Sequence, residues 1–146
     1  MSIPAYCFRS STPYLLDSQL PMITSGKLYA GIDNIHLLNP IYDQNILDQI
    51  RSNCFVYLHG HSAGGTNPSL VEAMSLGLPV FAYGVDYNKE TTEMCAKYFS
   101  DAKELSGLIN QIDEESLNTI GTKMAEIANR RYRWESITEQ YAAMMD

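Results

Sequence analysis

The stretch CFVYLHGHSAGGTNPSLVEAMSLGLPVFAYGVD, residues 54–86, reads as buried strand, glycine loop, helix and buried strand. The apolar run 54–58 suits a strand covered on both faces, and 80–83 is its counterpart beyond one helix. Between them Gly64 and Gly65 let the backbone come close to a ligand, Asn67 suits a helix cap, and Pro68 fits the first helical turn. The N–H groups of such a helix start, with their partial positive charge, would face an anion at the carboxyl end of the strands. Glu72 follows about one turn later, within reach of a sugar hydroxyl.

Outward from this unit, the pattern predicts an α/β domain with a Rossmann-like parallel sheet of about six strands, flanking helices and a helical C-terminal third. Strands are expected at 3–8, 20–24 and 35–38, a short helix from Thr12-Pro13 to about Ser18, and a helix over 43–51 with Ile46, Leu47 and Ile50 on one side. Beyond Asp86 the chain predicts a short helix over 90–96 and a last strand around 97–99. It then predicts a helix capped by Asp101 and two further helices over 114–131 and 134–145. Leu117, Ile120, Met124 and Ile127 give the longest of these an apolar stripe.

The 146 residues make one domain. Hydrophobic content of 45% and charged content of 18% exclude a disordered chain. The net charge of −7 argues against nucleic acid as a partner, because a nucleic-acid binder needs a basic face to release counterions. Cys7, Cys54 and Cys95 lack C-x-x-C spacing and are expected to be reduced thiols. No apolar run approaches the ~20 residues that span a bilayer, and no charged leader with an apolar core opens the chain. The expected location is the cytoplasm, with a peripheral place at the inner face of the membrane as its extension.

Residues 65–80, Gly-Thr-Asn-Pro-Ser-Leu-Val-Glu-Ala-Met-Ser-Leu-Gly-Leu-Pro-Val, resemble the E-G-F-G-x-P-x-x-E-A-M-x-x-G-x-P-V motif of family 4 retaining glycosyltransferases. These enzymes have the GT-B fold of two facing Rossmann-like domains. Residues 59–70, preceded by Pro40-Ile41-Tyr42-Asp43 and followed by 87–93, look closer still to the bacterial rhamnosyltransferase-like subgroup of surface polysaccharide assembly. The likeness runs from about Asn34 to the closing stretch around Arg131, Trp134 and Tyr141, while residues 1–33 match poorly.

The resemblance implies the donor-binding half of a GT-B enzyme, with the N-terminal acceptor domain absent from these 146 residues. The implied partners are a nucleotide diphosphate sugar and a saccharide or lipid-linked acceptor, with an N-terminal domain or partner subunit completing the enzyme. It implies no cofactor and no metal. By resemblance Glu72 accepts the ribose hydroxyls, and Gly64, Gly65, Thr66, Asn67 and Ser69 surround the diphosphate. Glu90 is the counterpart of a glutamate that faces the donor sugar, with Glu93 the alternative.

Two departures stand out. The family's first glutamate, eight positions before the second, is Gly64 here, a substitution the subgroup shares. The family's arginine and lysine lie five residues apart after the first strand; Arg9 takes the first place but Tyr14 stands in the second, leaving Lys89 to supply positive charge.

His59 and His61, two apart, would point the same way on an extended strand. They leave three readings open: a metal pair with no third ligand in view, the lining of the donor sugar pocket with His61 in the catalytic set, or plain loop structure. Arg130, Arg131 and Arg133 either reach toward the other GT-B domain or form a solvated helix end. A rival reading of the whole chain is a catalytically silent nucleotide-sugar binding module or partner subunit. A generic dinucleotide-binding domain is disfavoured, because no G-x-G-x-x-G follows the first strand.

Overall fold

Val56, Tyr57, Leu58 and His59 form β4 (Val56–His59), and all four are buried, as the apolar run requires. A computed structural model describes residues 5–9, 12–16, 36–37 and 41–145, with side chains from residue 41 onward except 136 and 140. The other strands are β1 (Ala5–Arg9), β2 (Thr12–Leu16), β3 (His36–Leu37), β5 (Val80–Tyr83) and β6 (Lys97–Phe99). They make one sheet in the order β3-β2-β1-β4-β5-β6.

The parallel expectation holds for β4, β5 and β6, where Tyr57 pairs with Val80 and Phe81 with Lys97. It fails at β1, which runs antiparallel to both β2 and β4. The helix expected from Thr12-Pro13 is also corrected: that segment is β2, returning along β1 with Arg9 opposite Thr12. A Thr-Pro pair fits the start of a helix, yet proline also suits the first residues of a strand, and hairpin pairing decided between them. The strand expected at 20–24 lies outside the described residues.

The helices are α1 (Gln44–Ser52), α2 (Pro68–Ser75), α3 (Asp86–Thr91), α4 (Ala102–Gln111), α5 (Glu114–Arg131) and α6 (Trp134–Ala143). Asp43, Asn67, Asp101 and Asp113 cap four of them through side-chain oxygens that accept backbone N–H groups. α3 starts four residues before the expected position. Residues 93–94 then take positive φ, at +48° and +60°, so helix cannot continue to Ala96.

α5 lies against α2 and presents its expected stripe: Leu117, Ile120, Met124 and Ile127 are all buried. The approach is close where the chain leaves α2. Gly77 sits at φ +68° after the last helical turn, and a Cβ on Gly121 of α5 would fall 2.4 Å from the Gly77 carbonyl oxygen. Cys54 corrects the expectation of three reduced thiols, since it is disulfide-bonded, while Cys95 is free. Which thiols come within bonding distance depends on the fold, and spacing alone does not reveal that. Among the described residues no helix is long and apolar enough to cross a membrane.

Candidate functional site

The loop between β4 and α2 stands at the carboxyl end of the parallel strands, where α/β sheets bind ligands. Gly64, at φ +102°, adopts a conformation that favours glycine, and Gly65 has open space where a Cβ would project. Gly64, Gly65 and Thr66 are exposed.

Asn67 caps α2: its Oδ1 accepts the Ser69 backbone N–H at 3.0 Å and the Ser69 hydroxyl at 2.7 Å. Its backbone carbonyl accepts from Leu70 and Val71. The first-turn donors of α2 are therefore taken within the protein, and Pro68 has none to offer. The backbone donors left for an anion are those of the loop, Gly64 to Asn67, rather than of the helix itself. The helix adds its partial positive charge behind them.

Asn88 of α3 ties this loop to the neighbouring strand. Its side-chain N–H2 donates to the His61 carbonyl at 3.0 Å and the Tyr83 carbonyl at 2.9 Å, so the exits of β4 and β5 are held together. Its own Oδ1 is buried without a partner among the described residues.

Below the loop runs a row of rings, Tyr57, His59 and His61, with successive centroids 6.1 and 6.0 Å apart. Strand alternation places the first two on one face of β4. His59 is only 2% exposed, and among the described residues neither ring nitrogen has a hydrogen-bond partner. Burial, and secondarily His61, lowers its pKa from 6.5 to about 4, so the ring is neutral at pH 7. Burial likewise raises the Tyr57 hydroxyl to about 12. Ser69, Arg51 and Glu72 are its polar neighbours.

Glu72 lies on α2 one turn beyond Ser69, with its side chain 43% exposed. Its Oε2 accepts a 2.6 Å hydrogen bond from Nη1 of Arg51, in the last turn of α1. Arg51 escaped the sequence reading. Its signal was a position four residues after Leu47, which puts a charge on the side of α1 that faces the domain.

The other expected residues gather at a second place. Glu90 is exposed and pairs with Arg131 at 3.4 Å, while Glu93 accepts from Arg130 at 2.6 Å and Arg131 at 3.2 Å. These arginines, chiefly Arg130, hold the Glu93 carboxyl below the usual range. Asp86, Lys89, Glu90, Glu93 and Met94 line a shallow hollow of about 580 Å³ there. Arg9 ends β1, and its side chain lies outside the described residues. Among the described residues no group of three or more His, Cys, Asp or Glu side chains could hold a metal ion.

No family model and no curated protein matches the chain. Solved structures do. Sucrose-phosphate synthase from Thermosynechococcus elongatus superposes on 89% of the chain with a TM-score of 0.72 and 23% identity, over 36% of its own length. Anabaena HepE in complex with UDP-glucose gives a TM-score of 0.67 and 24% identity over 78% of the chain and 32% of its own. The same protein in complex with UDP gives 0.68 and 24% over 77% and 32%. The chain thus spans about a third of the length of these structures, and what it shares with them is an α/β fold.

Proposed function

We propose that this chain is the donor-binding domain of a GT-B glycosyltransferase, which moves a sugar from a nucleotide diphosphate to a saccharide or lipid-linked acceptor. The observation that carries the reading is the loop 64–67, exposed at Gly64, Gly65 and Thr66 and with no backbone N–H engaged among the described residues, set before the Asn67-capped start of α2 with Glu72 one turn beyond. The HepE complexes with UDP and UDP-glucose support it, as do the three sequence blocks that resemble the rhamnosyltransferase-like subgroup. Rhamnose, retention at the anomeric carbon and a role in surface polysaccharide assembly follow from that resemblance.

In this reading the loop amides of Gly64 to Asn67 receive the diphosphate and stabilise it as the glycosidic bond breaks and charge moves to the leaving oxygen. Lys89 adds positive charge. Glu72 accepts from the ribose, where a carboxylate makes stronger hydrogen bonds than a neutral acceptor. His61 and Glu90 face the sugar.

Calorimetric titration of the folded chain with UDP and thymidine diphosphate tests the reading. Saturable binding of at least one is expected, and no heat from either refutes it. A second reading, a binding module without transfer activity, is favoured by Glu90, whose carboxylate is engaged by Arg131. Incubation with labelled nucleotide sugar and a lipid-linked acceptor separates the two, because only the first predicts a labelled acceptor once both halves of the enzyme are supplied.

A further inference from the structure

Arg51 is a cation in a place that rarely holds one. Its side chain is only 8% exposed, and burying a guanidinium costs several kcal/mol unless its donors are matched. They are matched sparingly. Nη1 donates to Glu72 at 2.6 Å, and Nε is buried with no acceptor among the described residues. An apolar side chain of similar volume would pack here without that cost, so stability alone does not account for the charge.

The carboxylate it holds is half in solvent. Glu72 Oε2 is committed to Arg51, whereas among the described residues Oε1 has no hydrogen-bond partner. A free glutamate rotates about three bonds, and one held at a single oxygen keeps the other in a fixed direction. Ser69, one turn earlier on α2, is held in the same manner through Asn67. Beneath them the buried Tyr57 hydroxyl is influenced by Ser69 through hydrogen bonding and by Arg51 and Glu72 through their charges, so the four residues share one neighbourhood.

We infer that Arg51 is a positioning residue: from the end of α1 it fixes the Glu72 carboxylate so that Oε1 is presented to a hydroxyl of the nucleotide sugar. The inference rests on the nucleotide reading above. Arg51 itself does not touch the ligand, and its effect passes entirely through Glu72.

The test is UDP titration of the intact chain, of Arg51→Gln, of Arg51→Lys, of Glu72→Gln and of the Arg51→Gln/Glu72→Gln pair, with circular dichroism to show that each is folded. Arg51→Gln is expected to weaken UDP about tenfold, the scale of one hydrogen bond to a charged group. Arg51→Lys keeps a cation but not the planar fork, and is expected to lose about threefold. In the Glu72→Gln background the Arg51 change is expected to cost nothing further, since its target is gone. Equal losses with and without the Glu72 carboxylate would overturn the assignment. So would wild-type affinity in Arg51→Lys, even where the glutamine variant fails to fold. Failure of the unsubstituted chain to bind UDP or thymidine diphosphate would instead overturn the nucleotide reading itself, and it is recognised without any variant.

Discussion

The start of α2 and the corner where α3 meets the end of α5 both carry carboxylates paired with arginine, and the two pairs differ in kind. At α2 one exposed oxygen of Glu72 is left open while the other is gripped from below by a buried guanidinium at 2.6 Å. At the corner Glu93 takes both Arg130 and Arg131, Glu90 shares Arg131 at 3.4 Å, and all four groups stand in contact with water. A charge pair built on a buried partner fixes direction, whereas an exposed network is screened and contributes little. In the proposed reading the α2 pair serves recognition of the nucleotide, whereas at the corner Glu93 with Arg130 and Arg131 serves cohesion, beside Glu90 and Lys89 on the sugar side.

The largest expected effect comes from breaking the support of the first region. Gly121→Ala puts a methyl group 2.4 Å from the Gly77 carbonyl, forcing α5 off the end of α2. A loss of about 3 kcal/mol is expected in urea unfolding, at the upper end for an overpacked contact. Gly65→Ala, with nothing within 4 Å of the new group, is expected to stay within about 0.5 kcal/mol of the parent.

His59 gives the next effect. Its folded pKa near 4 lies below the unfolded 6.5, so the unfolded chain binds more protons between those values and stability falls as pH drops through that window. The stabilisation is complete above pH 6.5, and about 3 kcal/mol is lost by pH 4, at 1.36 kcal/mol per pH unit. His59→Phe is expected to flatten this part of the stability–pH curve. An unchanged slope would show that His59 is not buried as a neutral ring.

Glu72→Gln is expected to cost about 1.5–3 kcal/mol in UDP affinity with the fold intact, and less for thymidine diphosphate, whose deoxyribose offers one hydroxyl fewer. The smallest effect belongs to the corner. Glu93→Gln is expected to lower the melting temperature slightly at neutral pH and to leave UDP affinity unchanged. Because Arg130 and Arg131 depress the Glu93 pKa, this small difference exists above the ordinary carboxylate range and vanishes as pH falls through the depressed value. A loss of UDP affinity in this variant would break the contrast between the two regions.

These contrasts follow what the chain reveals before folding. β4, α2 and β5 were legible because short apolar runs, a glycine pair, an Asn-Pro cap and a terminating glycine agree with one another. α5 was legible from its stripe. The orientation of β1 was not, since a five-residue run such as Ala5–Arg9 carries no sign of parallel or antiparallel pairing. Thr12-Pro13 misled because its local signal fits two structures. Glu72 could be singled out, but its partner could not, as Arg51 is 21 residues away and on another helix. Glu90 was legible as a charge near a strand end, whereas its capture by Arg131 depends on how α5 returns across the sheet.

The central claim is that the loop 64–67 receives a nucleotide diphosphate, and amide NMR of the labelled chain titrated with UDP reads it residue by residue. Saturable shifts are expected at Gly64, Gly65, Thr66 and Asn67, with a smaller one at Glu72 and none at Glu93 or Met94. Shifts confined to Glu90, Glu93 and Met94, or no shifts at saturating UDP, would contradict it.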